Sequence, residues 1–373
     1  MFGITHTSSR RLLVAAALFA SAGAVLAQPG GRHAAVGAVY TLSNAPGGNA
    51  VLVYPRTADG QVAAPIAVAT GGAGTGAGLG NQGAVILTRN EKWLLAVNAG
   101  SSSIAAFAVD RDGLRLTDVV ASGGLRPVSI AEHHGIVYVL NAGSDAITGF
   151  TLDRDGRLAP LAGSTRSLGG VDTAPAQVAF APAGDLLLVT LKATNQIVTF
   201  PVDGDGFASD ALVQPSSGTT PFGFAFGKRD QVFVSEAFGG APLSSAVSSY
   251  VVGADGMLNT IAASVPTMQT AACWVVVTPN GRLAYTTNAG SASISAYAIG
   301  ADGHITLVPA DGHASATGAG PGDIAMTGNG QFLYTLDNGS HTISAFEVAS
   351  DGALRAIPTG ATAPIGANGL AVR

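Results

Sequence analysis

The sequence predicts an all-β fold: a seven-bladed β-propeller whose ring is closed by the C-terminal strand. Three observations predict it: a repeat of roughly 50 residues, several short β-type runs in each repeat, and a composition rich in glycine and poor in charge. The chain has 51 Gly among 373 residues, and only 11% of its residues are charged. Its hydrophobic content of 47% is enough for a folded core, which excludes disorder as the main state.

An Asp-Gly pair marks each repeat. Successive pairs are 53, 43, 50, 50, 47 and 49 residues apart. Glycine accepts a positive φ at little cost, so an Asp-Gly pair between two β-type runs favours a tight hairpin. The seven pairs are Asp59-Gly60, Asp112-Gly113, Asp155-Gly156, Asp205-Gly206, Asp255-Gly256, Asp302-Gly303 and Asp351-Gly352.

Four β-type runs make up a repeat. An apolar run such as Val178-Ala179-Phe180 opens most repeats, and the second run is often followed by Asn-Ala-Gly, as at Asn141-Ala142-Gly143. The third run ends in an aromatic residue, as in Ile343-Ser344-Ala345-Phe346, which we expect to pack between neighbouring repeats. A weaker run follows the Asp-Gly pair. Four short strands per repeat are typical of a propeller blade.

The two ends of the repeat region complement each other. The first repeat begins at Ala38-Val39-Tyr40-Thr41 and lacks an opening run, whereas Gly369-Leu370-Ala371-Val372-Arg373 at the C-terminus resembles an opening run without a successor. We therefore expect the C-terminal strand to complete the first blade, which leaves the ring without an open edge.

The N-terminus has the pattern of an export signal. Residues 1–11 are polar and end in Arg10-Arg11, residues 12–27 are apolar, and Val25-Leu26-Ala27 is a small-residue cleavage pattern. We predict a signal peptide at 1–27, a short segment at 28–35 and the propeller at 36–373, in the periplasm or secreted. Sec and twin-arginine export both stay open. We expect no transmembrane segment in the mature chain.

Composition also narrows the partners. A net charge of −5 without a basic block in the mature chain argues against nucleic acid. The single cysteine, Cys273, excludes an intrachain disulfide and is interpreted as a buried small hydrophobe.

The Gly71–Gly80 stretch is interpreted as a flexible inter-blade loop, because a strand over Gln82–Leu87 follows it rather than a helix. His133-His134, beside Glu132, is a weak metal candidate; we expect no metal, no cofactor and a monomer.

The repeat motifs resemble those of the seven-bladed lactonase-like propellers. These include bacterial 6-phosphogluconolactonases and fungal carboxymuconate lactonising enzymes, and they are related to the YVTN-repeat propellers. The resemblance rests on V-x-N-x-G loops, x-P-x-x-V-A-F openings and D-G-x-L turns over about residues 36–373. It implies a lactone site of His, Arg and Glu side chains at the mouth of the central channel. Here the blade openings carry neither the His nor the Arg after proline, and only Glu236 of Ser235-Glu236 carries over.

The candidate site follows from propeller geometry. The loops that enter the innermost strands and those that join second and third strands line one face of the channel, which is concave. There we predict Glu236 as the base and Lys192 of the preceding blade as its cation partner, together suited to opening a carbonyl. His341 beside Asp337 is a further candidate base. The predicted ligand-binding residues are Arg126, Gln177, Asp323, Asp337, Asn338 and His341.

Two functions from different classes remain open. The first is an exported lactonase-like protein that hydrolyses or binds a small carboxylated or sugar-derived lactone at the channel mouth. The second is a non-enzymatic propeller that binds a partner protein or a cell-envelope ligand and retains a degenerate lactonase site. The intact blade pattern fits both functions. The absence of the family's His and Arg residues from the blade openings favours the second.

Overall fold

The computed structural model describes residues 35–111 and 113–373, and these residues form seven antiparallel sheets. Consecutive sheets pack side by side through their innermost strands, so the sheets are the seven blades of a ring. The predicted β-propeller is confirmed.

The strand bounds follow chain order. The described strands are β1 (Gly37–Leu42), β2 (Ala50–Arg56), β3 (Ile66–Ala69), β4 (Val85–Leu87), β5 (Trp93–Asn98), β6 (Ser103–Asp110), β7 (Gly113–Ala121), β8 (Pro127–His133), β9 (Ile136–Asn141), β10 (Ala146–Leu152), β11 (Leu158–Pro160), β12 (Arg166–Ser167), β13 (Pro175–Phe180), β14 (Leu186–Leu191), β15 (Gln196–Pro201), β16 (Leu212–Pro215), β17 (Pro221–Phe226), β18 (Gln231–Glu236), β19 (Ala246–Val252), β20 (Leu258–Pro266), β21 (Ala272–Val277), β22 (Leu283–Asn288), β23 (Ser293–Ile299), β24 (Ile305–Val308), β25 (Ser315–Ala316), β26 (Pro321–Met326), β27 (Phe332–Asp337), β28 (Thr342–Val348), β29 (Leu354–Ile357) and β30 (Asn368–Val372). A short 3₁₀ helix spans Phe238–Gly240.

Each blade is a four-stranded meander. From the inner to the outer strand, blades 1 to 7 are β30-β1-β2-β3, β4-β5-β6-β7, β8-β9-β10-β11, β13-β14-β15-β16, β17-β18-β19-β20, β21-β22-β23-β24 and β26-β27-β28-β29. Blades 3 and 6 differ from the predicted four strands, because β12 also pairs with β10 and β25 also pairs with β23.

The meander defines two faces of the ring. We call upper the face that holds the linkers into the inner strands and the loops between second and third strands. The lower face holds the turns between first and second strands and the Asp-Gly hairpins. Among the described residues, no helix is long and apolar enough to cross a membrane.

The C-terminal strand closes the ring as predicted. Strand β30 pairs antiparallel with β1, with Val39 opposite Val372 and Tyr40 opposite Ala371. The first blade is therefore built from both ends of the repeat region. This pairing covers the edge of β1 that would be exposed without β30.

The aromatic residues that precede the Asp-Gly pairs belong to the core. All seven have at most 1% of their surface exposed, since they are enclosed by strands of their own and neighbouring blades. They are Tyr54, Phe107, Phe150, Phe200, Tyr250, Tyr297 and Phe346. Burying a side chain of this size stabilises the fold by roughly 1.5–3 kcal/mol.

A second set of aromatic residues joins neighbouring blades through the turn glycines. The hydroxyl of Tyr138 in β9 donates to the carbonyl of Gly206 in the next blade at 2.9 Å. Tyr285 makes the same bond to Gly352 at 2.7 Å. Tyr334 of blade 7 makes it to Gly60 of blade 1, also at 2.7 Å, across the closure of the ring.

Candidate functional site

The upper end of the central channel is filled by residues 79–82, which we call the plug. They follow the glycine-rich part of the linker between blades 1 and 2. The Asn81 carbonyl accepts a bond from Trp274 Nε1 at 2.6 Å, and Asn81 Oδ1 accepts one from Asn368 Nδ2 at 2.7 Å. Asn81 Nδ2 in turn donates to the carbonyl of Val128. One residue, Asn81, is thus held by blades 6, 1 and 3.

Gln82 ties the plug to two further strands. Its N–H donates to the carbonyl of Ala176 in β13 at 3.0 Å. Its side-chain amide pairs with both backbone groups of Val275 in β21, with Nε2 to O at 3.0 Å and N to Oε1 at 3.2 Å. Asn81 and Gln82 are both buried. The plug is therefore fixed, unlike the flexible loop predicted for Gly71–Gly80, and the strand expected from Gln82 begins at Val85.

Lys192 lies at this plugged end. Its Nζ donates to the carbonyl of Gly80 and lies 4.6 Å from the centre of the Phe222 ring. Burial lowers the pKa of Lys192 to about 8; the nearby Cys273 thiol opposes this shift and the charge of Arg126 adds to it. Cys273 is buried as predicted, and burial raises the pKa of its thiol to about 12.

Glu236 is enclosed within blade 5. Its carboxylate accepts bonds from Gly218 N at 2.7 Å, Ser248 Oγ at 2.5 Å and Ser264 Oγ at 2.6 Å. The residue has no exposed surface, and burial raises the pKa of its carboxyl group against the lowering effect of these donors. No ion pair joins Glu236 to Lys192 in the described part of the chain. The predicted acid–cation pair is therefore wrong, because the carboxylate points into the blade.

Asp337 occupies the corresponding place in blade 7. Both carboxylates end the second strand of their blade, as Asn98, Asn141 and Asn288 do. Asp337 accepts bonds from Gly318 N at 3.1 Å and Thr335 Oγ1 at 2.8 Å, and burial raises the pKa of its carboxyl group. Gly218 and Gly318 allow this close approach, because a Cβ at Gly218 would lie 2.1 Å from Glu236 Oε2. These acids secure the linkers rather than face the channel.

Gln177 is engaged by the next blade. Its Nε2 donates to the carbonyl of Phe224 at 3.0 Å, and its Oε1 accepts from Phe224 N at 2.8 Å. The amide therefore joins the inner strands of blades 4 and 5. Asp323 in β26 is also buried, with 1% of its surface exposed.

The remaining predicted residues lie apart on the upper face. Arg126 is exposed, and its backbone N–H donates to Ser102 Oγ at 3.2 Å. Asn338 lies over Gly322, where a Cβ would be 2.0 Å from its Nδ2. His341 is half-buried and accepts a backbone bond from Ala363 at 2.9 Å. Among described residues, no hydrogen bond links the side chains of Arg126, Asn338 and His341.

A cavity of about 550 Å³ occupies the rest of the channel and reaches the lower face. Its lining includes Asp323 and Gln177 at depth and Arg89, Glu132 and His133 at the lower end. Glu132 connects this lower cluster: its Oε2 accepts from Arg89 N at 3.3 Å and its Oε1 accepts from Gly135 N at 2.8 Å. Arg89 Nη1 reaches the carbonyl of Pro182 at 3.5 Å.

His133 is the titratable base of the lower cluster. Its ring lies edge-on to His134 at 4.4 Å and packs against Gly184. Burial lowers the pKa of His133, and the charges of His134 and Arg89 lower it further against the opposing carboxylates of Glu132 and Asp185. The imidazole is therefore neutral at pH 7 and can accept a proton.

The sequence had singled out Glu132, His133 and His134 only as a weak metal set. No group of metal-ligating side chains is found among the described residues. The signal that could have revealed the lower cluster is positional: Arg89 follows the inner strand of blade 2, and Glu132-His133 ends that of blade 3. Both inner strands run to the same face. A guanidinium, a neutral imidazole and a carboxylate at one end of a cavity can bind an anion or an oxyanion and move a proton.

Comparison with known proteins points to one family. The sequence matches the family described as Lactonase, 7-bladed beta-propeller, over residues 30–172 and 172–367. No curated protein matches the sequence.

Solved structures share the fold at low sequence identity. The periplasmic gluconolactonase PpgL of Pseudomonas aeruginosa is 16% identical with a TM-score of 0.67, over 90% of this chain and 99% of that one. A proposed 6-phosphogluconolactonase of Bacteroides fragilis is 20% identical with a TM-score of 0.69, over 90% and 98% of the two chains. A second such protein, from Bacteroides uniformis, is 18% identical with a TM-score of 0.71, over 90% and 99%.

Proposed function

Because the chain belongs to the family of seven-bladed β-propeller lactonases, we propose that it opens small lactones at the lower end of its axial cavity. The observation that carries this proposal is the meeting of Arg89, Glu132 and His133 at the open end of a cavity of about 550 Å³. A cavity of this volume is in the range of small-molecule sites. The plugged upper end leaves the lower end as the way in.

The chemistry of lactone opening assigns a role to each side chain. His133, neutral at pH 7, takes a proton from water as that water attacks the lactone carbonyl. It returns this proton to the ring oxygen as the bond between that oxygen and the carbonyl carbon breaks. The Arg89 guanidinium stabilises the oxyanion and then the carboxylate of the hydroxy-acid product. Glu132 is a positioning residue, because it accepts from the backbone at Arg89 and Gly135. The substrate we propose is a sugar-derived lactone, a class that the name of the Pseudomonas aeruginosa neighbour supports.

The test is a panel of γ- and δ-lactones assayed in a pH-stat, which titrates the acid released. We expect His133→Gln to lower the rate by about 10²–10⁴-fold, as loss of a placed general base does. Arg89→Met should lower the rate and leave the fold intact, since Arg89 is exposed. His304→Gln is the matched control, because His304 lies on an exposed hairpin of blade 6.

Two results would contradict the proposal. A wild type that opens no lactone above the buffer rate removes lactone opening as the function. An active wild type that His133→Gln and Arg89→Met leave unchanged moves the site elsewhere, and Lys192→Met in the same assay then tests the plugged upper end.

A second candidate function is binding of a cell-envelope protein through the upper face. The observation that favours it is a set of large apolar side chains, between 50% and 82% exposed, in the upper-face loops. They are Leu125, Val171, Leu243, Met268 and Ile365. Such residues are characteristic of interaction surfaces when they are grouped on one face. This candidate gains if the wild type opens no lactone.

We further propose that the protein works in the periplasm. The predicted signal peptide at 1–27 and all but the last residue of the predicted segment at 28–35 lie outside the described residues. Support comes from the Pseudomonas aeruginosa neighbour, which is a periplasmic protein by name.

A further inference from the structure

Asp323 is a buried carboxyl group that the proposed lactone chemistry does not use. It lies in β26, the inner strand of blade 7, and only 1% of its surface is exposed. Its Oδ1 accepts a bond from Ile324 N at 2.8 Å. Its Oδ2 is buried and accepts no hydrogen bond from the described residues. An ionised carboxylate would leave that oxygen charged, buried and unpaired, which is among the most costly arrangements in a protein interior.

The neighbour of Asp323 across the blade boundary is β30. The backbone N–H of Leu370 is directed at the Asp323 carboxyl group. In a β-strand, the N–H and C=O of one residue point to the same side. The Leu370 carbonyl is therefore directed to the same side as its N–H, toward blade 7 and away from β1.

In blade 4, a neutral side chain bonds both the N–H and the C=O of one residue in the next inner strand. Gln177 is the third residue of its inner strand, as Asp323 is, and each follows a shift in register next to a proline. The Gln177 amide accepts from the N–H and donates to the C=O of one residue, Phe224, in the next inner strand. A protonated carboxyl group has the same pair of functions: one oxygen accepts and the other donates.

We propose that Asp323 is a neutral carboxylic acid that donates from Oδ2 to the Leu370 carbonyl and so fastens blade 7 to the C-terminal strand. With its proton, the Asp323 carboxyl group pairs blade 7 with β30 at the closure of the ring. The Gln177 amide pairs blades 4 and 5 in the same way. This inference is independent of the lactone proposal.

The surroundings are consistent with a neutral group. The titratable residues on the strands packed against β26 are Cys273 on β21, Tyr285 on β22, and Tyr334 and Asp337 on β27, while β30 carries none. Burial raises the pKa of Asp323 well above its ordinary value, and only the backbone N–H groups of Ile324 and Leu370 oppose it. No cation in the described part of the chain favours the ionised form.

A stability profile against pH tests the proposal. An acid whose pKa is higher in the folded than in the unfolded protein binds its proton more tightly when folded, so its contribution is complete below about pH 4 and is lost as the pH rises. Relative to Asp323→Asn, the unfolding equilibrium constant of the wild type should rise by up to about tenfold per pH unit above that point, until Asp323 ionises in the folded state. The raised pKa values of Glu236 and Asp337 are common to both proteins and cancel.

Asparagine is the informative substitution, because its amide can accept from the Leu370 N–H and donate to the Leu370 carbonyl at any pH. We expect Asp323→Asn to be at least as stable as the wild type at pH 7, measured by urea unfolding. Asp323→Leu removes both bonds and should be less stable throughout. The infrared carbonyl band of protonated acids should be stronger at neutral pH in the wild type than in Asp323→Asn.

The opposite results would overturn the proposal. A pH profile of Asp323→Asn parallel to that of the wild type would show that Asp323 does not hold an additional proton in the folded state. An Asp323→Asn variant that is as unstable at neutral pH as Asp323→Leu would show that the ionised carboxylate is the native form.

Discussion

Glu236 behaves as an internal cap of its blade. Three donors surround its carboxylate, and its side chain holds Gly218 at the start of the linker into blade 5. Polar groups in such positions contribute mainly to stability, since each buried donor left without an acceptor costs about 1–3 kcal/mol.

Glu236→Gln should therefore lower stability rather than chemistry. Replacing one carboxylate oxygen by an NH₂ group removes an acceptor. At least one of the three donors therefore loses the hydrogen bond that it donates. We expect a loss of about 1–3 kcal/mol in the free energy of unfolding, measured by urea titration. Lactone turnover per folded molecule should change less than twofold. A loss of 10²-fold or more in rate at unchanged stability would instead return Glu236 to the catalytic site.

The end of the second strand illustrates what sequence reasoning reached at the residue scale. Asn residues end this strand in three blades, and Asn141 Nδ2 donates to the loop carbonyl of Ser122 at 3.1 Å. Asn98 and Asn288 donate instead to serine side chains of the following strand. Glu236 and Asp337 occupy that same position. Their charge suggested a catalytic or binding role, whereas their position in the repeat indicates burial. The structure shows that both side chains are buried.

At the scale of elements, β30 is the strand on which the ring depends. It supplies the inner strand of blade 1, pairs with β1 and provides the Asn368 side chain that holds Asn81 of the plug. The backbone N–H of Leu370 in this strand is directed at the Asp323 carboxyl group. Its loss would expose the edge of β1 and the adjacent inner strands together.

Deleting Gly369–Arg373 should consequently destabilise the whole ring. We expect a broad loss of the thermal transition, followed by circular dichroism, and rapid cleavage by a protease at ordinary temperature. Arg373→Ala is the control, because it keeps β30 and removes only side-chain contacts, namely the exposed ion pair with Glu91 at 3.4 Å and the contact with Tyr40. Melting of the truncated chain within a few degrees of the wild type would contradict this expectation.

The strands could be predicted from the sequence because their signals are local. Alternation, a terminal aromatic and an Asp-Gly pair all lie within about a dozen residues of one another. The plug had no such signal. Its structure depends on partners far along the chain: Gln82 and Val275 are 193 residues apart, and Asn81 and Asn368 are 287 apart. The lower cluster likewise combines side chains of separate blades.

For the whole molecule, the open question is where the propeller works. The predicted export signal precedes the described residues, and cleavage after Ala27 would release a chain that begins at Gln28. We expect intact-mass analysis of the exported protein to give the mass of residues 28–373. A protein recovered with Met1 attached would contradict the predicted cleavage, and recovery from the cytoplasm alone would contradict the proposed location.

The plug has a consequence for how the ring comes apart. Proteins made of repeats that contact only their neighbours can lose their terminal units one at a time. Here Asn81 and Gln82 of one linker bind inner strands of blades 1, 3, 4 and 6. Blades that are not neighbours in the ring are therefore bound to the same segment. Opening one of them strains the others, which favours a single cooperative unfolding step over sequential loss of blades.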